Sequence, residues 1–146
     1  MSRPTCHRPN RPSTALVSLT AAALLATFLL VPTASQAADD PSIKGKLRTD
    51  IQAAMQTLID DLSVDGALVQ YDPVDGKILE LREPVLHAGI VKKGHFYVSC
   101  ADFKDQQGRK IDVDFLVLDH DGQLRATQAL VHKIDGNKRP YDLEAH

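Results

Sequence analysis

From Gly66 onward the chain is cut at short, regular intervals by turn signals, and that punctuation restricts it to short strands joined by tight connections. The breaks are Asp72-Pro73-Val74-Asp75-Gly76, Lys93-Gly94, Asp105-Gln106-Gln107-Gly108, Asp119-His120-Asp121-Gly122 and Asp135-Gly136-Asn137. Each brings Gly, Asp or Asn to a place where a turn needs positive φ or a side chain that bonds its own backbone. Between them lie Ala67–Tyr71, Lys77–Arg82, Val85–Lys92, His95–Lys104, Arg109–Leu118 and Gln123–Ile134, all rich in Val, Ile, Leu, Phe or Tyr. This spacing predicts an antiparallel meander of five or six strands.

Upstream the period is helical. Asp39-Asp40-Pro41-Ser42 reads as a helix start, with Asp40 as the cap and Pro41 in the first turn, where its missing N–H costs nothing. Ile43, Leu47, Ile51, Met55, Leu58 and Leu62 then recur every three or four residues, one apolar stripe on a helix ending near Ser63. The expected fold class is α+β: one N-terminal amphipathic helix packed on a five- or six-stranded antiparallel meander. That layout resembles cystatin-like and PepSY-type exported domains in architecture alone. No residue motif carries the likeness, and no site residue is transferred from it.

Residues 1–37 read as a cleaved secretory signal peptide. Arg3, Arg8 and Arg11 precede an apolar run from Ala15 to Val31, Pro32 breaks it, and Ser35-Gln36-Ala37 offers small residues for cleavage before Ala38. The expected location is periplasmic or secreted. An uncleaved segment would instead tether the chain to a membrane. Residues 38–146 are expected to form a single domain.

Charge narrows the partners. The signal segment takes three of the 17 basic residues and none of the 19 acidic ones, so the remainder is more acidic than the full chain at −2. Nucleic acid is disfavoured, because phosphate binding requires clustered Lys and Arg. Lys92-Lys93 and Lys138-Arg139 are two basic doublets, each beside a turn. Cys6 would leave with the signal, and Cys100 would then have no intramolecular disulfide partner. A lone thiol in an oxidising compartment is buried and inert, linked to another molecule, or used chemically.

Hairpin geometry supplies the first candidate site. If Lys93-Gly94 is a two-residue turn, His87 opposes Cys100 and the imidazole and thiol are cross-strand neighbours; a three-residue loop would place His87 opposite Ser99. Histidine beside cysteine favours the thiolate, the form that reacts and binds metal. Parity argues for a buried Cys100, since Phe96 and Val98 share its face, and on this register Val113 and Phe115 share it too. Asp102 lies on the same face of that strand.

Carboxylates form the second. Asp112 and Asp114 project from one face of the next strand and can bind a divalent cation or share a proton. A four-residue turn at 105–108 would set Asp114 against Ser99 and Asp112 against Ala101. Asp119-His120-Asp121-Gly122 opens like a calcium loop but lacks the Glu at its twelfth position, and reads as a hairpin turn. The histidines show no zinc-ligand spacing along the chain. Ser99 lacks the flanking glycines of a nucleophile elbow, no phosphate-cradling glycine loop is present, and Trp is absent.

The reading that follows is a small exported, non-catalytic binding or accessory module, monomer or homodimer, with an unknown protein or peptide partner and no cofactor. The alternative is a periplasmic thiol or soft-metal protein using Cys100 and His87, with a divalent or monovalent ion held also by Asp102.

Overall fold

A computed structural model of the chain describes residues 39–140 and 143. The expected signal segment 1–37 lies outside the described residues, as do Tyr141 and His146. Among the described residues no helix is long and apolar enough to cross a membrane.

The helix α1 spans Lys46–Asp61 and is shorter than the stripe predicts. Gly45 precedes it at φ 56 without a side-chain cap. Asp40 serves a different end: its Oδ1 accepts the Ser42 N–H at 2.9 Å and closes a separate turn that includes Pro41. The Arg48 guanidinium ties Asp39 to the carbonyl of Ile43 and joins that turn to the helix. Ile51, Met55 and Ile59 are buried, whereas Leu62, expected on the stripe, caps the helix and is 40% exposed.

Seven strands follow: β1 Ser63–Val64, β2 Ala67–Asp72, β3 Lys77–Lys93, β4 Phe96–Lys104, β5 Lys110–His120, β6 Gln123–Ile134 and β7 Asn137–Lys138. They form one antiparallel sheet in sequential order. The expected α+β layout of a helix on a five- or six-stranded meander is therefore corrected. The described residues build a single open seven-stranded sheet, mostly strand, with one short helix. The architectural likeness to cystatin-like and PepSY-type domains falls with it.

Two local causes account for the difference. Lys77–Arg82 and Val85–Lys92 are one strand, which continues through Glu83 at φ 55 and a register shift between Arg82 and Val85. The first part of β3 pairs with β2 as far as Leu81↔Leu68, and β4 takes over at Arg82↔Lys104. Short two-residue ladders, β1 on β2 and β7 on β6, then extend the sheet at both edges.

Period-two alternation divides the central strands into an apolar and a polar face. Ala101 and Phe103 of β4, with Ile111, Val113, Phe115 and Val117 of β5, join Ile51, Met55 and Ile59 of α1 in one hydrophobic cluster. Cys100, Asp102, Asp112 and Asp114 occupy the alternate positions. Cys100 is buried, as parity suggested, but it does not share a face with Val113 and Phe115.

Candidate metal centre

The polar face is assembled by register. β4 and β5 are joined by a five-residue loop, Asp105 to Arg109, closed by the pair Lys104↔Lys110. The Asp105 carboxylate organises that loop by accepting the N–H groups of Gln107 and Arg109, both at 2.9 Å, and the Arg109 side chain at 2.7 Å. The expected four-residue turn is one residue short, and a single slip changes every cross-strand partner. Asp114 faces Cys100 rather than Ser99, and Asp112 faces Asp102 rather than Ala101.

The β3–β4 hairpin turns at Gly94-His95, with Lys93 opposite Phe96 and Gly94 at φ 57, and not at Lys93-Gly94. Left alone, that register would carry His87 past Cys100. A bulge restores it: Leu86 pairs with Ala101 and Ile90 with Ser99, so His87, Ala88 and Gly89 stand against Cys100 alone. Three hydrogen bonds hold the bulge. Gln52 donates to the His87 carbonyl at 3.1 Å, Ser99 Oγ to the Gly89 carbonyl at 2.9 Å, and the Asp40 N–H to the Ile90 carbonyl at 2.9 Å.

A second bulge, in β6, brings in residues that linear reading missed. Asp112 pairs with Lys133 and Val113 with Val131, leaving His132 as the extra residue. Its Nδ1 lies 3.1 Å from Asp114 Oδ1 and 3.8 Å from Asp112 Oδ2. Lys133 Nζ reaches Asp112 Oδ2 at 2.8 Å. The Arg139 N–H donates to the His132 carbonyl at 2.7 Å and anchors the backbone there. In the sequence the one sign of His132 is a titratable side chain directly after the apolar run Ala129-Leu130-Val131.

Two overlapping sets of donor atoms converge on this face. One is His87, Cys100 and Asp112; the other is Asp112, Asp114 and His132; within each set the donors lie within 4.8 Å of one another. The Cys100 thiol donates to Asp114 Oδ1 at 3.2 Å. Asp112 is 8% exposed, and its Oδ1 is buried with no hydrogen-bond partner. A buried carboxylate oxygen without a donor costs about 1–3 kcal/mol, and a cation would remove that cost.

Asp102 stands beside the sets without belonging to either. Its Oδ2 receives His87 Nε2 at 3.1 Å and Lys110 Nζ at 2.7 Å. Burial opposes its ionisation, but the hydrogen bonds from Lys110 and His87 outweigh burial and hold its pKa below the ordinary value. At Lys133 burial likewise disfavours charge, and the Asp112 carboxylate overrides it to raise the ammonium pKa. Exposure grades across the site from 2% and 5% at the Asp114 and His132 side chains to 22% and 31% at Asp102 and His87.

Other expected features lie apart. Asp119-His120-Asp121-Gly122 is the β5–β6 turn, with Asp119 Oδ1 accepting the Gly122 N–H at 2.9 Å and the His120 side chain 91% exposed. Arg139, beyond β7, is taken up by Asp75 at 2.8 Å and by the buried Asp72. It closes an intramolecular clasp. Comparison of the chain with protein-family models, with curated proteins and with solved structures finds no match.

Proposed function

We propose that this protein binds a borderline divalent transition ion, of the zinc or cobalt type, through His87, Cys100 and Asp112, with Asp114 and His132 completing the coordination. The observation that carries this reading is that the two donor sets share Asp112, whose Oδ1 is buried without a hydrogen-bond partner. Mixed sulfur, imidazole and carboxylate donors suit zinc or cobalt better than calcium or magnesium, which take oxygen alone. Formal charge favours a divalent ion. Two carboxylates and a thiolate bring three negative charges, Lys133 offsets one, and a divalent ion balances the rest. Entry is from the half-exposed His87 side.

In this reading the protein is a small exported accessory protein that holds or delivers the ion, with residues 1–37 as its signal. Cobalt(II) titration tests it. A thiolate-to-cobalt charge-transfer band that saturates and is displaced by zinc supports the site. A featureless titration, with an ion-free mass in native mass spectrometry, sinks it.

A partner-binding role is favoured by a different observation. Tyr71 and Ile78 are cross-strand neighbours on β2 and β3 and are 60% and 63% exposed, with Val64 and Val85 similarly exposed. Pull-down from the exported fraction with wild type and Ile78→Asp tests that reading; equal recovery of every protein by both would count against it.

A further inference from the structure

Asp102 belongs to neither convergent set, yet it sits on the polar face opposite Asp112 and next to His87. Its Oδ2 is shared between His87 Nε2 and the Lys110 ammonium. A neutral imidazole has one N–H and one lone pair, so a carboxylate that takes the N–H of one nitrogen determines which nitrogen is left to bind a metal. His87 also stands on a bulge, three residues against one, and its side chain is 31% exposed. Neither regular pairing nor tight packing holds that ring.

We propose that Asp102, braced by Lys110, is a positioning residue that anchors His87 through Nε2 and presents Nδ1 to the ion. The inference rests on the metal reading above and gives the outer residues of that site their role. Asp102, expected from the sequence to be a ligand, acts one layer out. Lys110 keeps the carboxylate in place from its exposed side, where its own side chain remains 66% accessible. Loss of an outer partner of this kind lowers metal affinity by about ten- to a hundredfold.

Two readouts on the full chain test the proposal. Long-range proton–nitrogen correlation spectra, with His87 assigned by its loss in His87→Gln, report the tautomer of the metal-free protein independently of any metal. Wild type is expected to carry the proton on Nε2. Asp102→Ala should mix the tautomers and weaken cobalt(II) binding about ten- to a hundredfold. Asp102→Asn, whose amide oxygen still accepts the N–H, should keep the tautomer and recover part of the affinity. If Asp102→Ala fails to fold, Lys110→Met provides the milder change, with a shift in the same direction.

A wild-type His87 protonated on Nδ1 overturns the proposal. So does an Asp102→Ala chain that binds cobalt as wild type does, which leaves the metal site itself standing. A wild-type chain that takes up no cobalt overturns the metal reading and this inference with it.

Discussion

Cys100 and Asp114 face each other directly across β4 and β5, and the thiol donates to the carboxylate at 3.2 Å. The contact joins the soft donor to the buried acidic pair, and its existence depends on one residue of loop length between the two strands.

Replacing Cys100 by Ser keeps the size and a donor but removes the sulfur. Cobalt(II) titration of Cys100→Ser should show no charge-transfer band, while the equilibrium stability in denaturant falls by about 1 kcal/mol, the scale of one altered buried hydrogen bond. Retention of the full band would remove Cys100 from the ligand set.

The burial of Cys100, 3% exposed, predicts slow reaction of the native thiol with an aromatic disulfide reagent and rapid reaction once denaturant is added. Added zinc should slow the native reaction further, since the ligand sulfur is then occupied. Stability should rise with the ion as well, by about 2.7 kcal/mol at a hundredfold excess over Kd.

Arg139 tests the clasp at the far edge. Its guanidinium neutralises the fully buried Asp72. Arg139→Met should therefore cost about 3–5 kcal/mol, because a buried charge is left unpaired. Asp72→Asn combined with Arg139→Met should cost much less than the sum of the two single changes. Additive losses in urea denaturation would show that the pair is not coupled.

Asp105 contributes to the acid limb of stability. Burial raises its pKa, but the Arg109 side chain and the backbone N–H groups of Arg109 and Gln107 outweigh burial and bring it below the ordinary 3.8. A carboxyl depressed in the fold contributes stability above its unfolded value, and the contribution is lost as pH falls through the folded one. Wild type should thus lose stability below about pH 4, and Asp105→Asn, lacking this contribution, should show a flatter acid limb in urea midpoints measured between about pH 6 and pH 2.

Gly108 closes the same loop at φ +77 with open space around its α-carbon. Gly108→Ala should cost about 1–2 kcal/mol through backbone strain alone. Cobalt affinity should change little if the loop keeps its length, and a large loss would mean that the β4–β5 register had slipped.

Much of this protein was determined by local pattern. The approximate places of the turns, most strand segments, the helical run through Ile51 and Met55, the burial of Cys100 and the shared face of Asp112 and Asp114 follow from spacing and side-chain period. The His87–Cys100 neighbourhood was legible too, although the turn residue that suggested it was misplaced by one and the β3 bulge corrected the error. What only the tertiary structure decided is which strand residues meet. Loop length sets Asp114 against Cys100, bulges in β3 and β6 bring in His87 and His132, and β3 runs on past Glu83 where two strands were expected. The physical reason is that facing is a property of one strand, fixed by alternating side chains, whereas register is a property of a pair. One inserted residue shifts it while leaving each strand's own pattern almost unchanged.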